Sequence, residues 1–102
     1  METGAAGTQL EIQQQEHDGR GAFFVEGADG RLAELIYARP SSETAFIEHT
    51  EVSKALAGQG VGKRLVEAAV TWARQSGTKL EVLCPFARTV FDRNPGLRDV
   101  LK

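Results

Sequence analysis

The chain has 102 residues, and its content of 41% hydrophobic and 25% charged side chains is that of one ordinary soluble globular domain. A formal net charge of −2 argues against a nucleic-acid-binding protein, which normally shows a basic face. The single cysteine, Cys84, excludes an intrachain disulfide, and no apolar run has the length of a signal peptide core or a membrane span. We therefore expect a cytoplasmic protein without nucleic-acid or membrane partners.

The first half of the chain predicts four antiparallel strands. Residues 1–7 are small and polar and are expected to be disordered, which leaves a single domain over residues 8–102. Alternating, β-branched and aromatic residues predict strands at 10–16, 22–26, 31–39 and 45–52. Turn signals between them lie at 17–21, 28–30 and 40–43. Closely spaced strands with tight turns indicate an antiparallel meander.

The second half predicts a helix, a parallel strand and a second helix. Residues 60–76 have apolar side chains at helical spacing, and Gly77 is a suitable residue to end that helix. Residues 79–83 read as a fifth strand, which a crossover of this length places parallel to the fourth. Residues 86–93 allow about two helical turns. The predicted order is ββββαβα, an α+β fold with a mostly antiparallel mixed sheet of about five strands and a short C-terminal helix.

A glycine-rich loop, Gly58-Gln59-Gly60-Val61-Gly62, joins the fourth strand to the main helix. Glycines let the backbone approach a ligand, and the free N–H groups of a helix's first turn favour an anion. Lys63 and Arg64 stand in that first turn, where a cation is normally disfavoured unless an anion is nearby. The loop has neither the hydroxyl of a Walker A loop nor the spacing of a dinucleotide fingerprint. On the residues alone, the alternative is a turn that only lets strand and helix pack.

The remaining pattern, with Gly60 and Gly62 opening a helix, resembles the acyl-CoA pyrophosphate loop of the GNAT superfamily of N-acetyltransferases. Ala57 stands where that loop usually has Arg or Gln. Over residues 46–101, further segments resemble the small YjdJ-type acetyltransferase-like family, bacterial relatives of the eukaryotic N-acetyltransferase domain-containing proteins. These segments are His49-Thr50-Glu51-Val52, Trp72-Ala73-Arg74, Leu83-Cys84-Pro85-Phe86 and Arg93-Asn94-Pro95.

The resemblance implies acetyl-CoA as the cofactor and an amine of unknown identity as the acceptor. It also implies that strands four and five splay apart around the pantetheine, and that a chain shorter than a full member has an open acceptor side. For Phe86 the alternative role is packing, and for Asn94 it is a plain helix stop. The residues expected to hold the cofactor are Val52, Gly58, Gln59, Gly60, Val61, Gly62, Lys63, Arg64, Phe86 and Asn94.

Three side chains are candidates for catalysis, with no metal implied. Cys84 ends strand five, where the resemblance places the acetyl thioester, and it either accepts the acetyl group, protonates the departing CoA thiolate or lines the pocket. His49 and Glu51 share a face of a regular strand four, and either is a possible base for the amine, although a bulge would change which one faces the cleft. We predict an N-acetyltransferase; the alternatives are a CoA-binding module without efficient turnover and a plain interaction domain.

Overall fold

The computed structural model describes residues 10–102 as a five-stranded mixed sheet with its two helices packed on one face. The predicted disorder of residues 1–7 and the start of the domain at residue 8 lie outside the described residues. No helix within residues 10–102 is long and apolar enough to cross a membrane. The strands are β1 (Gln13–His17), β2 (Arg20–Gly27), β3 (Gly30–Ser41), β4 (Thr44–Val52) and β5 (Lys79–Val82); the helices are α1 (Val61–Ser76) and α2 (Pro85–Arg93); and short 3₁₀ segments cover Lys54–Leu56 and Pro95–Val100.

The strands lie in the order β1-β2-β3-β4-β5, and the predicted order of elements, ββββαβα, is confirmed. Strands β1 to β4 pair antiparallel, whereas β5 pairs parallel with β4, as a crossover through α1 requires. The turn predicted over 40–43 was too wide, because Ser41 pairs with Thr44 and only two residues lie between them. Likewise β1 begins at Gln13 rather than at residue 10, since Leu10 and Ile12 pack against the core ahead of the strand.

The hydrophobic core lies between the helices and the inner face of the sheet. In β3 the buried positions alternate at Ala33, Leu35 and Tyr37, as expected for a strand with one face covered. The indole of Trp72 on α1 lies 4.9 Å from the ring of Tyr37, centroid to centroid. Gly77 ends α1 in a left-handed conformation, with its N–H bonded to the carbonyl of Ala73, as predicted.

A β-bulge at Glu48 interrupts the alternation of β4. Ile47 pairs with Tyr37 but His49 pairs with Ile36, so Glu48 is an extra residue without a partner on β3. Ala45 and Ile47 face the core before the bulge. Beyond it Thr50 pairs with the buried Leu35, so Thr50 and then Val52 take the inward positions, and His49 and Glu51 turn to the outer face.

The same stretch of β4 separates from β5. Their ladder ends at the pair Ile47 and Val82, followed by one hydrogen bond from the Leu83 N–H to the Ile47 carbonyl at 2.8 Å. From Glu48 to Val52 the β4 edge therefore runs free of β5. The predicted splaying of strands four and five is present, and it coincides with the bulge.

Candidate active site

A cleft of about 410 Å³ opens where the free edge of β4, the glycine-rich loop and the two helices meet. Its walls are mostly apolar. Eight of the ten residues predicted to hold the cofactor line this cleft: Val52, Gly58, Gly60, Val61, Gly62, Lys63, Phe86 and Asn94. The loop and the start of α2, which are far apart in sequence, thus form one site.

The remaining two predicted residues do not line the cleft. Gln59 is exposed on the loop, and its N–H is directed to the carbonyl of Leu56 at 3.4 Å. The guanidinium of Arg64 donates to the carbonyl of Leu10 at 3.0 Å, which holds that side chain against the N-terminal segment. The geometry therefore gives no support for a cofactor contact by either side chain.

The amino end of α1 presents unpaired hydrogen-bond donors to the cleft. The first bond within the helix runs from the Arg64 N–H to the carbonyl of Gly60 at 3.1 Å, so the N–H groups from Gly60 to Lys63 have no acceptor in the helix. Gly60, the residue before the helix, has no side chain that could accept from these N–H groups, and the first turn contains no acidic residue. With the helix dipole and the Lys63 ammonium adding positive charge, this end of the cleft suits an anion.

Gly62 also has a packing role that the sequence did not reveal. A Cβ at this position would lie 2.5 Å from Cζ of Phe86, so α1 and α2 approach closely only because residue 62 has no side chain. The Phe86 ring is 45% exposed, unusual for a phenylalanine, and forms a wall of the cleft. Gly62 therefore positions that wall as well as leaving backbone open to a ligand.

Three further cleft residues on α2 were missed: Thr89, Val90 and Arg93. With Phe86 they recur at i, i+3, i+4 and i+7, the spacing of one helix face, so this signal was present in the sequence. Asn94 follows them, donating from its amide to the Val90 carbonyl at 2.7 Å and ending α2. It is thus both a helix stop and a part of the cleft wall.

Cys84 is not among the residues that line the cleft; it lies immediately before α2 and is only 5% exposed. Its Sγ lies 3.6 Å from Oγ1 of Thr50, which the bulge has turned inward. Burial raises the pKa of the thiol, but the N–H of Ala87, the hydroxyl of Thr50 and the N–H groups of Phe86 and Thr50 together lower the pKa by more, so it falls below its ordinary value.

His49 and Glu51 lie on the same face of β4, as predicted, with Nε2 and Oε1 3.7 Å apart. Both are well exposed, at 58% and 71% of the side chain, and the bulge turns both away from the face that carries Cys84. Glu51 also lines a second, more polar cleft of about 490 Å³, together with Glu34 on β3. Within residues 10–102 no group of three or more His, Cys, Asp or Glu side chains is arranged to hold a metal ion.

A family model described as GCN5-related N-acetyl-transferase matches residues 20–100. The chain belongs to this family. Among its relatives in the GCN5-related N-acetyltransferase family is the protein NATD1 of Xenopus tropicalis, 30% identical over 83 residues that cover 78% of this chain and 75% of the frog protein. The predicted resemblance to the N-acetyltransferase domain-containing proteins is confirmed, and the YjdJ-type subgroup stays a prediction.

Solved structures share the fold of this GCN5-related chain. A GCN5-like protein of Staphylococcus aureus, solved by NMR, superposes with a TM-score of 0.69 at 33% identity, covering 91% of this chain and 88% of its own. A GNAT family acetyltransferase of Elizabethkingia anophelis, solved with acetyl-CoA bound, superposes with a TM-score of 0.52 at 17% identity, over 63% of this chain and 42% of its own. The second likeness concerns the fold alone.

Proposed function

We propose that this GCN5-related chain is an N-acetyltransferase that binds acetyl-CoA in the cleft between β4 and α2 and transfers the acetyl group to an amine. The observation that carries this proposal is the cleft itself, which runs from the free N–H groups of α1 along apolar walls to the open edge of β4. Acetyl-CoA joins a polyphosphate, a mainly apolar arm with amides and a thioester, and these three parts suit those three surfaces. The Elizabethkingia anophelis neighbour, solved with acetyl-CoA bound, supports the same class of cofactor.

Each part of the cofactor would have its own set of residues. The N–H groups from Gly60 to Lys63, with the Lys63 ammonium, would hold the pyrophosphate. The backbone of Val52, on the free edge of β4, would pair with the amides of the arm as an added strand does. Phe86 and Val90 would pack against its apolar atoms. Ala57 lines the cleft where an Arg or Gln is usual, so this chain relies on backbone donors and Lys63 at that point.

The chain's own groups would then manage the protons and the developing charge. Bound acetyl-CoA supplies a thioester carbonyl; the amine nitrogen forms a bond to its carbon as the carbon–sulfur bond breaks. His49 or Glu51, exposed on the outer face, would accept the proton that the amine loses. A backbone N–H on the free edge of β4 would stabilise the negative charge that develops on the thioester carbonyl oxygen. The departing thiolate takes up a proton, which Cys84, two residues before Phe86 of the cleft wall, would donate.

The slight exposure of Cys84 bears on its role. A covalent acyl-enzyme requires the sulfur to reach the carbonyl carbon and room for the acetyl group afterwards, and a thiol that is 5% exposed offers little of either. Proton donation requires only proximity. We therefore favour the acid or the lining role over that of acyl carrier.

Binding is tested by calorimetric titration of acetyl-CoA into the wild type, Lys63→Gln and Lys79→Gln. Lys79 begins β5 at the end opposite the cleft and makes a matched control, since both changes remove one ammonium. We expect roughly a tenfold rise in Kd for Lys63→Gln, the size of a lost charged hydrogen bond, and none for Lys79→Gln. Absence of binding by the wild type would contradict the proposal.

Turnover is tested by following free-thiol release from acetyl-CoA with a panel of amines. Release with at least one amine supports an enzyme, whereas tight binding without release from any amine supports the CoA-binding module instead. Intact-mass spectrometry after incubation with acetyl-CoA separates the roles of Cys84. One added acetyl group on the wild type, absent from Cys84→Ala, would show that the thiol is an acyl carrier after all.

A further inference from the structure

We propose that Thr50 is a positioning residue for Cys84: the hydroxyl of Thr50 holds the Cys84 thiol in place between β4 and α2. This inference rests on the proposed function of the cleft for its catalytic meaning, and on geometry for everything else. A regular β4 would continue its inward series from Ala45 and Ile47 to His49. The bulge at Glu48 shifts that series by one residue, so that a hydroxyl faces the thiol and the imidazole does not.

The bulge is held from the outer face of the sheet. Glu48, the extra residue, accepts a hydrogen bond from the guanidinium of Arg20 on β2 at 2.6 Å. The side chain of Glu48 thus points outward, and the residues after it are shifted in phase by the pairing with β3. The inward direction of Thr50 is therefore built into the strand and does not depend on a ligand.

The hydroxyl suits the thiol in both of its protonation states. As a hydroxyl, Oγ1 of Thr50 can accept from the S–H of the thiol, the contact seen at 3.6 Å, or donate to the thiolate. The N–H groups of Ala87 and Phe86 approach from α2 and can only donate. The Cys84 sulfur, placed between the Thr50 hydroxyl and these N–H groups, therefore keeps the same orientation as a thiol and as a thiolate.

Burial and hydrogen-bond donors, not ionised side chains, shift the pKa of the thiol. On β4 the charged and titratable groups are Glu48, His49 and Glu51, which the bulge and the pairing turn to the outer face. Glu81 of β5 is engaged by Lys102 at 3.5 Å. The charged side chains of α2 are exposed, namely Arg88, Asp92 and Arg93. Thr50 is thus the side chain whose removal tests the arrangement most directly.

The test is the pH profile of Cys84 alkylation by iodoacetamide, measured without acetyl-CoA so that it is independent of the proposed function. Cys84 is the only cysteine in the chain, so the whole signal belongs to it. Thr50→Val removes the hydroxyl and keeps the shape, Thr50→Ser keeps the hydroxyl, and Thr71→Val changes an exposed threonine on α1 as a control. Thr50→Ala serves if the valine variant does not fold, and ultraviolet absorbance of the thiolate gives the same midpoint if alkylation is too slow.

We expect Thr50→Val to shift the midpoint to higher pH and to slow alkylation roughly tenfold at neutral pH, because a hydrogen bond to the thiolate is lost. Thr50→Ser and Thr71→Val should match the wild type. A change in access alone would alter the plateau at high pH and leave the midpoint in place. Equal midpoints for Thr50→Val and the wild type, or a serine variant that behaves like the valine variant, would overturn the inference. Failure to bind acetyl-CoA would instead count against the proposed function and leave this result standing.

Discussion

Tyr37 shows how one buried side chain can belong to both the core and the polar surface. Its ring is 1% exposed and contacts Trp72, while its hydroxyl donates to Oε1 of Glu16 at 2.7 Å and accepts from the amide of Gln14 at 2.9 Å. Burial raises the pKa of Tyr37, the bond from Gln14 lowers it, and the carboxylate of Glu16 raises it further, to about 12 in all.

This pKa can be measured directly, because Tyr37 is the only tyrosine in the chain. We expect the tyrosinate absorbance of the folded protein to rise with a midpoint at about 12, and that of the denatured chain near the ordinary value of about 10. Between those values the unfolded state has lost the proton that the folded state keeps, so the free energy of unfolding should fall as the pH rises.

The control is Tyr37→Phe, which should lose both the absorbance change and the alkaline fall in stability. A midpoint near the ordinary value in the folded protein would show that the hydroxyl is more open to water than its contacts indicate. No local sequence pattern indicates this residue's chemistry, because its partners on β1 are 23 and 21 positions away along the chain and β1 pairs with β2, which lies between it and β3.

Cys84 was foreseen as a residue at the carboxyl end of β5, and the structure places it there. Its neighbour Thr50 was not foreseen as a contact. The reason is that no local pattern in β4 reports a bulge, which depends on how the strand pairs with β3. Sequence reasoning therefore located the thiol and missed the group that touches it.

Helix α1 begins and ends at glycines with nearly equal backbone angles. Gly60 has a φ of 70° and Gly77 a φ of 69°, both left-handed, and a Cβ at either position would meet no atom within 4 Å. Gly77 was predicted as a helix end from its place after an apolar periodic run. Gly60 was predicted as part of a ligand loop and as the first residue of the helix; it is the residue just before the helix and has the same left-handed conformation as Gly77.

This symmetry gives a matched pair of variants. Gly60→Ala and Gly77→Ala should each lower the free energy of unfolding by about 1–2 kcal/mol, the cost of a left-handed alanine, when measured by urea denaturation. Only Gly60→Ala should also weaken acetyl-CoA binding, since only that end of the helix faces the cleft. Gly96→Ala, at a glycine with neither a left-handed φ nor a nearby atom, serves as the control. A neutral Gly60→Ala would mean that the loop adopts another conformation.

The elements themselves were largely predictable, and for a clear reason. Apolar residues alternate along the strands and recur at helical spacing in α1, so type and order follow from local periodicity. What periodicity cannot report is a close approach between distant segments. The contact of Gly62 with Phe86 is of that kind, and it became visible only when α1 and α2 were seen side by side.

At the scale of the whole molecule, the C-terminal segment ties α1 to β5. The guanidinium of Arg74 on α1 binds both carboxylate oxygens of Asp99, at 2.6 and 3.0 Å, and the carbonyl of Gly96 at 2.8 Å. Beyond Asp99 the chain reaches the sheet, where the N–H of Lys102 donates to the carbonyl of Leu80 at 3.0 Å. The bond from Arg74 lowers the pKa of Asp99.

We expect Asp99→Asn to speed hydrogen exchange at the Lys102 amide, because the segment is then held less firmly. The lowered pKa means that the folded state keeps Asp99 ionised to a lower pH than the unfolded state. The contribution of the Asp99 carboxylate to holding the segment is therefore complete above the ordinary carboxyl pKa and is lost as the pH falls through the lowered value.

The difference in Lys102 amide exchange rate between wild type and Asp99→Asn should accordingly vanish in acid. The effect should stay local, since both partners are exposed and surface pairs contribute little to global stability. Asp92→Asn, which removes an exposed carboxylate on α2, should leave the exchange rate unchanged. A difference that persists unaltered in acid would show that the carboxylate charge is not what holds the segment.

The bridge between Leu80 and Leu101 also has a consequence for the protein in concentrated solution. The outer strand of any sheet offers unpaired backbone groups on which a second chain can add, the first step of ordered aggregation. At β5 the chain's own residues 101 and 102 occupy part of that edge. At the opposite edge, β1 consists of Gln13-Gln14-Gln15-Glu16-His17, side chains that give an incoming strand little apolar surface to cover. Both edges of the sheet are thus protected against aggregation, the β5 edge by backbone pairing and the β1 edge by polar side chains.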